Sequence, residues 1–281
     1  MAFTTLIDTE TLALHLTDPG FAILDCRFKI EDVTWGEREY STRHIPGAIY
    51  ADLERDLSGT KTGANGRHPL PDAAGLADTF GRHGIDASVQ VVAYDQDAGM
   101  YASRLWWMLR WLGHDAVAVL DGGFARWTAE GRATAAGRET RQPRWFTGAP
   151  RAGMTATIDD VAGIRSRADW RLVDARAPER YRGETETIDR TAGHIPGATN
   201  HFFKWNVNET GRFRSPEELR ERLQKTLGGI PPDRVVSYCG SGVTACHNLL
   251  ALEHAGLSGA RLYPGSWSEW SSDPSRPTEK S

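Results

Sequence analysis

The stretch VVSYCGSGVTACHNLLALEHAG, Val235 to Gly256, decides how the chain folds. Its first four residues, Val235 to Tyr238, form a short apolar run of strand type that ends on Cys239. Gly240, Ser241 and Gly242 follow, small residues whose glycines let the backbone curl tightly. Val243 to Ala255 then reads as a helix closed by Gly256. A buried strand running into a helix is the unit of a parallel sheet, and ligands gather beyond the carboxyl ends of such strands. Cys239 stands at one of those ends.

Working outward, the same pattern occurs earlier in the chain. VVAYD (Val91–Asp95) matches VVSYC, and HIPGA occurs at His44–Ala48 and again at His194–Ala198. AILDCR (Ala22–Arg27) matches RLVDAR (Arg171–Arg176), and LDGGFARW (Leu120–Trp127) matches YPGSWSEW (Tyr263–Trp270). Four landmarks in one order indicate two homologous domains, 1–139 and 154–281, joined by a polar linker at 140–153 that carries Pro143 and Pro150. In the second half, Leu172–Asp174, Val235–Tyr238 and Arg261–Tyr263 read as strands. Ser215-Pro216-Glu217-Glu218 is a capping box opening a helix to about Thr226, which Gly228-Gly229 ends. The fold class expected is α/β, with each domain a mainly parallel sheet carrying helices on both faces.

The totals exclude several classes. With 281 residues, 40% apolar, 25% charged and a net charge of −4, the chain lacks the basic excess of a nucleic-acid binder. No apolar run approaches the roughly 18 residues of a membrane helix, and the first residues lack a signal-peptide pattern. Three widely spread cysteines, Cys26, Cys239 and Cys246, are not a disulfide framework and suit a reducing cytoplasm. Neither a metal nor a cofactor is implied, because no cysteine or histidine pattern completes a zinc-type site.

The loop after Cys239 is suited to anions. A curled loop leading into a helix turns several N–H groups inward and adds the partial positive charge of the helix start. A sulfur at its centre would be held as the thiolate, the nucleophilic form. The bland alternative is a buried cysteine that merely ends a strand. A tyrosine-phosphatase loop would need an arginine six residues after its cysteine, and that position is Ala245.

The tandem HIPGA motifs, the loop CGSGVTA and the closing glycine-tryptophan motifs resemble the two-domain sulfurtransferases of the rhodanese superfamily, over nearly the whole chain. Within it, CGSGVTA is similar to the loop of 3-mercaptopyruvate sulfurtransferases, whereas thiosulfate sulfurtransferases carry basic residues where Gly240 and Ser241 stand. The resemblance implies a persulfide on Cys239, formed from 3-mercaptopyruvate and passed to a thiol, a thioredoxin-like protein or cyanide. The alternatives are a thiosulfate sulfurtransferase and a sulfur-relay module without turnover of a small donor.

The first domain has Asp95 in place of Cys239, so it should be catalytically silent, and the family implies that it forms one wall of a cleft. The resemblance also implies that Arg180 and Arg190 bind substrate, with Gly240, Gly242, Val243 and Thr244 cradling it. It assigns Ser241 and His68 to catalysis, with Glu54 or Asp56 as their acid. Arg182 reads as structural. So do Asp25, Arg27, Asp174, Arg176, His44 and His194, because they recur in the domain that lacks the nucleophile.

Overall fold

The computed structural model describes residues 2–281. They form two compact units, one comprising residues up to Gly59 with Pro71–Arg151 and Glu209–Phe213, the other Thr60–Leu70, Ala152–Asn208 and Arg214–Ser281. Each unit therefore incorporates a short segment from the other half of the sequence.

The first unit runs β1 (Leu6–Ile7), α1 (Thr9–Ala13), β2 (Phe21–Asp25), α2 (Trp35–Thr42), β3 (Ile49–Tyr50), α3 (Ala73–Arg82), β4 (Gln90–Tyr94), α4 (Ala102–Trp111), β5 (Val117–Leu120) and α5 (Gly123–Ala129). Its five strands are all parallel, in the order β1-β5-β4-β2-β3. The second unit runs α6 (Ile158–Ile164), β6 (Arg171–Asp174), α7 (Pro178–Tyr181), β7 (Thr199–Asn200), α8 (Pro216–Leu227), β8 (Val235–Tyr238), α9 (Thr244–His254), β9 (Arg261–Leu262) and α10 (Ser266–Trp270). Its sheet is also parallel, ordered β7-β6-β8-β9. Where β1 flanks β5 in the first unit, the second has only a single bridge between Thr155 and Leu262.

The local signals explain these elements. Ser215 accepts a hydrogen bond from the Glu218 amide at 3.2 Å and the Glu218 carboxylate accepts from the Ser215 amide, so the capping box that starts α8 is complete. Gly228, in the left-handed conformation, ends it. Strands β4 and β8 are buried at every residue, as expected of central parallel strands covered on both sides. Trp127 lies fully buried in the first core, and Trp267 and Trp270 in the second.

The repeated landmarks form one device, built twice. Asp174, at the end of β6, holds Arg176 at 2.7 Å, and both are buried. Arg176 also donates to the Gly193 carbonyl at 2.6 Å, and Tyr238 donates to Asp174 while accepting the Ile195 amide at 3.2 Å. In the first unit, Asp25 holds Arg27 at 2.7 Å, Arg27 donates to the Arg43 carbonyl, and Tyr94 links Asp25 to the Ile45 amide. The HIPGA histidines repeat as well. His44 stacks on Tyr40 and His194 on Tyr181, each with Nδ1 2.7 Å from that tyrosine's carbonyl. These residues tie the strand ends to the HIPGA turn.

In the first unit the loop after β4 closes on its own side chain. The buried Asp95 carboxylate accepts the amides of Gly99, Tyr101 and Ala102 at 2.9, 2.7 and 3.1 Å. Burial and the neighbouring Asp97 carboxylate push Asp95 up to about 6, against the pull of those amides. The folded unit thus favours the protonated acid. Its contribution to stability is complete below the ordinary carboxylate range and is lost as the pH rises through about 6.

Two outcomes are expected. Asp174→Ala removes the nearer carboxylate of buried Arg176, leaving only Glu186 at 3.4 Å, and should destabilise the chain by about 3 kcal/mol, read from urea denaturation. The stability of the wild type relative to Asp95→Asn should fall between about pH 4 and about pH 6 and level off above, read from denaturation midpoints across that window.

Candidate active site

Cys239 is the first residue beyond β8 and is buried, only 2% exposed. Its backbone is held on both sides. The Cys239 carbonyl accepts the Trp267 amide at 2.9 Å, and its amide donates to Ser266 Oγ at 3.1 Å. Ser266 Oγ in turn donates to the Tyr263 carbonyl at 2.9 Å. Ser266 has φ 55°, and it is the only non-glycine residue at positive φ among the described residues. Its counterpart in the first unit is Gly123, with φ 57°. A serine at a position that favours glycine stores backbone strain beside the cysteine, and its hydroxyl fixes the Cys239 amide.

The loop beyond Cys239 is as tight as its sequence suggests. Gly242 has φ 77°, and a Cβ there would lie 2.5 Å from the Pro264 carbonyl oxygen. Val243 precedes α9 without a capping side chain. The amides of Gly240, Ser241, Val243, Thr244 and Ala245 make no hydrogen bond among the described residues. Aligned from the helix side, Thr244 and Ala245 correspond to Tyr101 and Ala102, whose amides bind the Asp95 carboxylate in the first unit. The first loop is filled by its own anion. The second has the same backbone plan with a sulfur at its root and amides left to donate.

Two groups predicted to act together do meet. Segment 60–70 brings His68 into the second unit, and its Nδ1 lies 2.8 Å from Ser241 Oγ in a buried hydrogen bond. Glu54 and Asp56 belong to the first unit, where Asp56 accepts the Asp52 amide at 2.8 Å and pairs with Arg55 at 3.0 Å.

The predicted arginines divide. Arg180 lies near the loop: a Cβ on Gly240 would be 3.7 Å from its Nη1. Arg190 is exposed and makes no hydrogen bond or ion pair among the described residues. Arg182 is tied to Glu184 at 2.7 Å, away from any such role. Sequence reasoning passed over Arg67, although its neighbour His68 was singled out in GRHPLP. Arg67 Nη2 would lie 2.9 Å from that same Gly240 Cβ, and its Nη1 is 2.6 Å from Asp189. Asp189 also reaches Arg180 at 3.2 Å, and Glu186 joins Arg180 at 2.7 Å to Arg176 at 3.4 Å. Against its burial, hydrogen bonds from Arg180 and from the Asp189 and Ile188 amides hold the Glu186 carboxyl below its ordinary range. Ser266 had a signal in the repeat, where GSW replaces GGF at a left-handed position. Arg67 and Asp189 had none, because the contacts that join them span 122 residues.

The rhodanese-like domain family matches residues 8–130 and 157–273. The Pseudomonas aeruginosa protein named "Probable 3-mercaptopyruvate sulfurtransferase" is 48% identical over 99% of this chain and 98% of its own length. The thiosulfate sulfurtransferase of Bos taurus is 35% identical over 94% of this chain and 91% of its own. Among solved structures, the 3-mercaptopyruvate sulfurtransferase from Leishmania major superposes with a TM-score of 0.84 at 31% identity, covering 95% of this chain and 74% of that one. With both halves matched and full-length relatives well above 30% identity, the chain belongs to the rhodanese family as a two-domain sulfurtransferase.

Proposed function

We propose that the protein transfers the sulfur of 3-mercaptopyruvate to a thiol acceptor through a persulfide on Cys239. The observation that carries this reading is the uncharged CGSGVTA loop, with Ser241 hydrogen-bonded to His68 two residues beyond the nucleophile. In the first half-reaction, the Cys239 thiolate attacks the donor sulfur and the donor's C–S bond breaks. The bonding pair passes to carbon as the enolate of pyruvate. The proton carried by the donor thiol ends on that carbon, leaving pyruvate and the Cys239 persulfide anion. Ser241 and His68 are suited to relay this proton, because their hydrogen bond lies beside the reacting sulfur. The outer sulfur is cradled by the amides of Gly240, Val243 and Thr244, while Gly242 provides the turn that brings them together. Arg180 binds the donor carboxylate, for which its planar fork is suited.

In the second half-reaction a thiolate attacks the outer sulfur, takes it as its own persulfide and restores the Cys239 thiolate. A small thiol, a reduced thioredoxin-like protein or cyanide could serve as acceptor. The reading extends to a reducing, cytoplasmic setting, which the three free cysteines support. No described helix is long and apolar enough to cross a membrane. A second reading, thiosulfate as donor, is favoured by one observation: Arg67 and Arg180 together bring two guanidinium groups to Gly240.

The deciding experiment is intact mass after brief exposure to each donor. One added sulfur, removed by a thiol reductant and absent from Cys239→Ser, is expected, with faster loading from 3-mercaptopyruvate. No added sulfur from either donor would leave the relay reading in its place. In steady-state kinetics, Ser241→Ala and His68→Ala should each lower kcat/KM for 3-mercaptopyruvate by about 10²-fold. They should lower it far less for thiosulfate, whose sulfite leaving group needs no proton on carbon. Equal losses for both donors would remove the relay role.

A further inference from the structure

Segment 60–70 enters the second unit at a defined place. Gly66 has φ +87°, and a Cβ on it would lie 2.8 Å from the Gly265 carbonyl oxygen. The next amide, that of Arg67, donates to Ser268 Oγ at 2.9 Å. The Ser268 amide in turn donates to the Gly240 carbonyl at 2.9 Å. The backbone at Arg67 is thereby fixed to the same turn that holds Cys239. Its side chain reaches the space a side chain at position 240 would need, 2.9 Å from that Cβ, with Arg180 at 3.7 Å. Two cations thus meet at the residue next to the nucleophile, although the loop itself has no charge. A single carboxylate, that of Asp189, whose side chain is 7% exposed, holds both of them, at 2.6 and 3.2 Å. The Nε of Arg67 is buried without a hydrogen-bond partner.

We propose that Arg67 is a donor-binding residue, and that Asp189, held between Arg67 and Arg180, sets the preference for a singly charged over a doubly charged sulfur donor. The inference rests on the sulfurtransferase reading above and names what selects the donor. A donor anion competes with Asp189 for the same guanidinium N–H groups and is repelled by its charge. Coulomb energy is linear in the ligand's charge, so a dianion such as thiosulfate meets twice the repulsion felt by the carboxylate of 3-mercaptopyruvate. Glu186 also holds Arg180, at 2.7 Å, but Asp189 is the carboxylate shared by both guanidinium groups, so removing its charge favours a doubly charged donor over a singly charged one. The uncharged residues at 240 and 241 then describe only half of the specificity, because Arg67 supplies from another segment a charge that the loop lacks.

The test measures binding by calorimetry in the full chain carrying Cys239→Ser, so that no sulfur transfer intervenes. Thiosulfate and 3-mercaptopyruvate are titrated separately. With Asp189→Asn added, thiosulfate should tighten by about 10–100-fold and 3-mercaptopyruvate by about 3–10-fold, moving their ratio roughly tenfold towards thiosulfate. With Arg67→Gln added, both donors should weaken, thiosulfate more, and Arg67→Lys should recover part of the loss because it keeps the charge without the fork. An equal change for both donors in Asp189→Asn, or no change, overturns the role of Asp189. Unaltered binding in Arg67→Gln overturns that of Arg67, and should that variant not fold, Arg67→Lys must still weaken thiosulfate for the inference to stand. Persulfide loading of the wild type reports on the sulfurtransferase reading separately, since these titrations need no turnover.

Discussion

The buried ion pair between Asp174 and Arg176 is the constraint on which the second unit's site depends. A charge without its partner in that position is costly, so the pair forces Arg176 to stay at the strand end and its remaining donors to find carbonyls. It finds one in Gly193, next to the HIPGA turn, and Tyr238 closes the same network from the neighbouring strand. Tyr238 immediately precedes Cys239. The position of the sulfur is therefore inherited from an ion pair at the end of the adjacent strand, and the same construction around Asp25 and Arg27 positions Asp95.

The two units show what one backbone plan does with different side chains. Equivalent carbonyls of Asp95 and Cys239 receive the amides of Phe124 and Trp267, both at 2.9 Å. Asp95 then turns into its own loop and uses up the amides, which makes that loop a structural knot. Cys239 has a side chain without a strong acceptor, so its loop keeps those donors for another anion. The loops differ at their root, a carboxylate in one and a thiol in the other, and the first is one residue longer.

Much of this was legible in the chain. The repeat, the strand that ends on Cys239, the capping box at Ser215 and the glycine ends of the helices are local patterns, and the folded protein contains them within one or two residues. Strand β9 is a residue shorter than its apolar run, because Tyr263 leaves the ladder where its carbonyl turns to Ser266. The pairing of His68 with Ser241 was reached only by resemblance, since nothing local links residues 173 positions apart.

By itself, the sequence determined the fold class, the duplication and the strand end on which Cys239 stands, because periodicity, turn residues and a repeated motif are properties of neighbouring residues. Tertiary structure alone decided which charges surround that cysteine. It left Arg190 in solvent, brought Arg67 and Asp189 to the loop, and placed residues 60–70 in the unit of the other half. The physical reason is that a guanidinium takes whichever carboxylate and carbonyl groups the packed backbone presents to it, and that choice is made by distances in space rather than by spacing along the chain.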